Sequence, residues 1–261
     1  MTIATIAEVL AALDGVIDRA WSESSRLGYF AALYRRVTRR VQQGIAAGEF
    51  EDAARMSRLD VVFAGRYLAA VEQFRNRKPT SACWQVAFLA GADRLPLVLQ
   101  HLLGGMNAHI NFDLGLAAAA TSPGDQLPGL QGDFDQINAL LAAEVGGVER
   151  DLAAVSPGIA LLEKCGLRSE TQIINFNLTA ARDLAWCTAQ RVAAAPPEQR
   201  DALCAALDGA VALLGHGFLH PPLLIAAELL PVRALESDDV RHVLDVLASD
   251  RASDRAAAAS T

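Results

Sequence analysis

The sequence predicts an all-α protein, a single-domain bundle of about ten helices with one buried helix, near residues 94–120, running through its middle. Three observations predict it. Apolar residues recur at helical spacing from end to end. No segment alternates apolar and polar residues between hairpin turns, as half-buried strands would. The pattern breaks where backbone chemistry breaks helices: at Gly48, Lys78-Pro79-Thr80, Thr121-Ser122-Pro123-Gly124, Ser156-Pro157-Gly158 and Pro196-Pro197. These stops divide the chain into helices near 3–19, 23–48, 51–76, 81–92, 94–120, 133–155, 169–194, 197–216, 222–230 and 237–250. Long alanine-rich stretches let the helices approach closely. The Gly- and Pro-rich stretch from about Thr121 to Gly132 reads as a long loop, either a flap over a site or a solvated connection. The domain is expected to span residues 1–247, with 248–261 (a doubled ASDR and then AAAAST) as a frayed, disordered tail.

Charge narrows the function. With 23 basic against 30 acidic residues the chain carries −7, which argues against nucleic acid and against an anionic membrane surface as partners. The first twenty residues carry Glu8 and Asp14 and no basic leader, the wrong pattern for a secretory signal. Cys83, Cys165, Cys187 and Cys204 form no CxxC pair and read as small buried hydrophobes in a reducing cytoplasm. Lysine occurs only at 78 and 164; with abundant alanine, this is the composition of a GC-rich bacterial genome. Gly209–Ala227 is uncharged and long enough to span a bilayer, but His216, Gly217, His220 and Pro221-Pro222 interrupt it. The expectation is no membrane span, but two buried helices meeting at a corner.

Residues 101–116, HLLGGMNAHINFDLGL, carry the strongest chemical signal. His101, Asn107, His109, Asn111 and Asp113 crowd an otherwise apolar helix, where burial makes polar groups costly. At 3.6 residues per turn His109 and Asp113 fall about 40° apart, one turn from each other, and are placed to pair or share a partner. His101 lies on a neighbouring edge of that face, and Asn107 and Asn111 form a second ridge flanked by Gly104 and Gly115. Three other segments offer inward-facing partners. Asp60 shares a face with Phe63, Ala64, Tyr67 and Phe74; Asn138 sits in a seam with Leu141, Val145, Val148 and Leu152; Asn175, Thr179, Arg182 and Trp186 make a mixed polar stripe.

GMNAHINFDLGLA, with LDVVFAGRYL upstream and DFDQIN and ARDLAW downstream, resembles DUF5995, a bacterial and fungal family of unknown function. The resemblance spans roughly Leu27 to Trp186 and is most specific at the asparagine–histidine segment. It implies that the four segments form one assembly and brings no activity or cofactor with it.

Two chemical readings of the assembly stand beside a structural one. As an acid–base site, His109 oriented by Asp113 is the base, and Asp60, if buried without a cation, has a raised pKa and donates a proton. As a metal site, His109 and Asp113 are the first two ligands of a divalent cation, with Asp60, His101 or Glu144 as a third. His216 and His220 have ligand spacing, but Pro221 is expected to pull His220 off the helix. Structurally, His109 and Asp113 are a hydrogen-bonded packing pair, and Asp60 bridges to Arg66 or Arg182. No GxSxG, Walker loop, nucleotide-binding glycine motif or aspartate-rich cyclase motif is present. Arg35, Arg36, Arg39 and Arg40 read as a solvated face backed by acidic neighbours. The expectation is an enzyme acting on a small, largely apolar molecule between helices, hydrolase- or cyclase-like. His109, Asp113 and Asp60 carry the chemistry; Asn107, Asn111, Asn138, Tyr67, His101, Arg182 and Trp186 contact substrate or brace the pocket. The alternative is a non-catalytic ligand- or partner-binding module whose polar cluster is structural. Homo-oligomerisation is left open.

Overall fold

The structure is a computed structural model that describes residues 3–159 and 178–251. Every regular element among the described residues is helical: α1 Ile6–Glu23, α2 Gly28–Ala46, α3 Ala53–Arg75, α4 Ala82–Ala90, α5 Val98–Met106, a π-helical segment Asn107–Leu114, α6 Gly115–Thr121, a 3-10 segment Gly124–Leu130, α7 Gln131–Val155, α8 Leu178–Ala194, α9 Pro197–Leu219, α10 Leu223–Leu235 and α11 Val240–Leu247. Starts and stops follow local chemistry. Thr5 and Glu8 close a capping box at α1, Asp52 and Asp239 cap α3 and α11, and Pro197 opens α9. Gly48, past the end of α2, has a φ of +73°.

The central helix is where the sequence puts it. From Gln100 to Ala119 every residue except Met106 and Ile110 is buried, with α2, α3, α4, α8 and α9 packed around it. Close approach depends on glycine at two points. A Cβ at Gly105 would lie 2.5 Å from the Phe30 ring, and one at Gly115 would lie 2.6 Å from the Ala185 carbonyl oxygen of α8. The unexpected feature is the π-helical segment in its middle. Its i→i+5 hydrogen bonds widen the turn, so four residues fall short of a full turn instead of overshooting it. Side-chain bearings read at α-helical spacing therefore rotate across this stretch.

Several expectations change. The supposed loop after Thr121 is a packed 3-10 segment, because Leu127 and Leu130 are buried against α7 and α8. Residues 248–251 of the expected tail are anchored: Ala248 is buried, Asp250 accepts from Arg35, and Arg251 pairs with Asp14 and Asp18. Residues 252–261, like Cys165, Asn175 and the start of the 169–194 helix, lie outside the described residues. The arginine run is built into ion pairs instead of facing solvent: buried Arg35 bridges Asp14 and Asp250, Arg36 meets Asp151, and Arg40 meets Glu49. Cys187 is exposed, not buried. The α9–α10 corner is also less buried than its apolarity suggests, since Leu213, Leu223 and Leu224 are each more than three-quarters exposed. By length and composition α9 would suffice to cross a membrane, with 22% of its apolar window buried. The His216 and His220 rings stay 4.6 Å apart at this corner, because His220 still donates its backbone N–H to the His216 carbonyl as the helix cap.

Candidate functional site

A cavity of about 240 Å³ opens between α2, α3, α7, α8 and the central helix. Its walls are leucine, valine, isoleucine, methionine and phenylalanine side chains. The polar groups along it are Tyr34, Asp60, His109, Glu144, Glu149 and Arg182. Phe30, Tyr34, Val37 and Val41 recur on one face of α2, and Met56, Leu59, Asp60 and Phe63 on one face of α3, so each helix contributes a stripe.

His109 projects from the π-helical segment into an aromatic cage. Its ring stacks on Phe63 at 3.6 Å and 7°, and meets Tyr34 edge-on at 4.3 Å. Phe30 and Trp84 complete the cage. Among the described residues neither imidazole nitrogen has a hydrogen-bond partner. Burial pushes the His109 pKa down, with Asp113 pulling weakly the other way, so the ring is neutral at pH 7. The expected His109–Asp113 pairing is loose: Nδ1 and Oδ2 stand 3.6 Å apart, beyond hydrogen-bond length. Asp113 is committed elsewhere. Arg66 Nε donates to its Oδ1 and Trp84 Nε1 to its Oδ2, both at 2.8 Å. The pairing is lost to these two donors, which fill both carboxylate oxygens. Asp113 therefore anchors α3 and α4 to the central helix and does not orient His109.

Asp60 takes the place in the site that Asp113 was expected to hold. It is buried, its Oδ2 has no partner among the described residues, and neither Arg66 nor Arg182 pairs with it. Desolvation alone pushes its pKa up to about 7. Beside it, the Tyr34 hydroxyl also makes no full hydrogen bond among the described residues; its pKa is raised by burial and then by the Asp60 charge, with nearby Thr38 acting the other way. Tyr34 was missed in the sequence, although the Phe30–Tyr34–Val37–Val41 spacing was there to be read.

The other expected residues divide. Arg182 lines the cavity; its guanidinium donates to the Phe134 carbonyl at 2.7 Å and lies 4.6 Å over the Phe134 ring. Asn107 and Asn111 face α9: Asn107 Nδ2 donates to the Val211 carbonyl, and Asn111 Nδ2 donates to Asn107 Oδ1. Both brace the helix and lie off the cavity. Tyr67 stands behind the cage, packed on Phe30 and Trp84. Trp186 packs on Phe134 away from the cavity. His101 sits apart, edge-on to Tyr29 beside a separate small void, with its pKa lowered to about 4 chiefly by burial. Asn138 lies on α7, but its side chain falls outside the described residues. The metal reading loses its ligands: Asp113 is held by a guanidinium and an indole, and among the described residues no three His, Cys, Asp or Glu side chains come together to hold a cation.

A family model matches residues 6–221, well beyond the stretch on which the sequence resemblance rested, and the chain belongs to DUF5995, a family of unknown function. No curated protein and no solved structure matches it.

Proposed function

We propose that this DUF5995 member is an enzyme that acts on a small, largely apolar molecule held in the inter-helical cavity. Asp60 is its proton donor and His109 its proton acceptor. One observation carries the reading: Asp60, His109 and Tyr34 line a single, otherwise apolar cavity, and among the described residues each has a buried polar atom that no protein group satisfies. Buried polar atoms ordinarily find partners within the fold; others that lack one, such as the Tyr67 hydroxyl, His101 Nε2 and Asn111 Oδ1, lie off this cavity, whereas these three residues share it, which fits a group supplied from outside. The two protonation states are matched to the task. A carboxyl with a pKa of about 7 still holds a proton near neutrality, and an imidazole pushed down by burial is free to accept one. The π-helical turn supports the reading further, since such turns are frequent at functional sites. The ring contacts of His109 with Phe63 and Tyr34 favour a second reading, in which the cavity binds its molecule without converting it and the imidazole only shapes the wall.

The test is to incubate the purified protein with a cellular small-molecule extract and follow depletion and product formation by mass spectrometry. Wild type is expected to convert an apolar component, and Asp60→Asn and His109→Gln are each expected to slow that conversion by about a hundredfold or more. Conversion undiminished in both variants would refute the catalytic assignment. Retention of a compound by wild type without conversion would favour the binding reading.

A further inference from the structure

We infer that the molecule this cavity takes is an apolar acid, a hydrocarbon body ending in a carboxylate, and that Arg182 anchors the head group. The inference rests on the cavity being a ligand site and adds the chemical class of the ligand.

Arg182 is only 3% exposed. A guanidinium so deeply buried is rare unless an anion compensates it, because taking a charge out of water costs several kcal/mol. Among the described residues it forms no ion pair. Its protein contacts are the neutral Phe134 carbonyl and the face of the Phe134 ring, and its Nε–H has no acceptor. Asp135 and Asp183 are exposed and act on it only at a distance, and burial outweighs them, lowering its pKa to about 10. Asp60 shares the cavity but does not pair with it. The side chain is thus a preformed cation at the wall of a hydrocarbon-lined space, with no anion and no acceptor for its Nε–H among the described residues.

The rest of the cavity sets the shape and direction of the ligand. Its other acidic groups, Glu144 and Glu149, come from α7 ten and fifteen residues beyond Phe134, roughly 15 and 22 Å of helix at 1.5 Å per residue. An anion is therefore favoured at the Arg182 end and disfavoured at the other. A planar carboxylate suits a guanidinium, which presents donors in a fixed fork. The walls between offer only van der Waals contact, apart from Asp60, Tyr34 and His109.

Calorimetric titration of the full chain with decanoate, decan-1-ol and decylamine at about pH 7.5 tests this, since the carboxylate and the amine are then both ionised. Decanoate is expected to bind about tenfold or more tighter than decan-1-ol, and decylamine more weakly than either. Arg182→Gln is expected to bring decanoate to within about twofold of the alcohol and to leave the alcohol unchanged, and Val37→Trp, which fills the cavity, to weaken both ligands alike. The wild-type series decides even if Arg182→Gln does not fold. Equal binding of acid and alcohol, or tightest binding of the amine, would overturn the inference and leave the cavity reading standing. Binding of none of the three would contradict both.

Discussion

The two sides of the π-helical segment meet their surroundings in opposite ways. On one side Asp113 has both oxygens filled by Arg66 and Trp84, and Asn107 reaches the Val211 carbonyl while accepting from Asn111. On the other side, among the described residues, His109 has no hydrogen-bond partner at either nitrogen and lines a cavity shared with an Asp60 that forms no ion pair. All are buried polar side chains in one small region, so burial alone does not separate structural from functional groups. Satisfaction does. A filled buried group stabilises the fold and is costly to remove, whereas an unfilled one is a standing cost whose removal relieves strain.

That contrast is open to direct attack by substitution. The largest effect is expected at the filled side. Asp113→Ala leaves the Trp84 indole N–H and the half-buried Arg66 guanidinium without an acceptor and should destabilise by about 3 kcal/mol, the low end for breaking a buried pair because Arg66 retains some access to water. Denaturant unfolding measures it; a loss under about 1 kcal/mol would make Asp113 no anchor. On the unfilled side the sign reverses. Asp60 has its pKa raised from 3.8 to about 7, so the folded state binds a proton more tightly than the unfolded one. Stability from this group is complete below about pH 4 and is lost as the pH rises toward 7. Asp60→Asn should therefore unfold at higher denaturant than wild type at pH 8, by about 2–4 kcal/mol, and show little difference at pH 4. The smallest effect is expected at His109→Phe, which keeps a flat ring against Phe63 and removes two orphaned nitrogens. Its stability should stay within about 1 kcal/mol of wild type, and a loss several times larger would mean that the imidazole has a fixed partner.

Much of this was legible in the sequence, and the boundary has physical causes. The buried central helix was readable because its polar residues stand out against an apolar run with no exposed face, and its neighbours because Gly and Pro punctuate them. Asp60 was readable as an inward carboxylate by its spacing with Phe63 and Tyr67. Its freedom from a cation was not, because Arg66 sits six residues away on the same helix and only the structure shows it turned to Asp113. The His109–Asp113 pairing failed for a related reason. Spacing places the two side chains near each other, as they are, but nothing local in NAHINFDL shows that Arg66 of α3 and Trp84 of α4 fill both Asp113 oxygens. Tyr34 was overlooked because a tyrosine on an apolar stripe looks like core. It took the cavity beside it to give its hydroxyl meaning.

The claim beneath all of this is that Asp60 is a buried carboxyl with no compensating charge. A carbon-13 NMR titration of its side-chain carboxyl in the folded, ligand-free protein measures that directly. The account predicts a midpoint near 7, far above the ordinary 3.8 for aspartate, that moves when decanoate occupies the cavity. A midpoint near 4, unmoved by ligand, would show the group to be solvated or paired and would contradict the account.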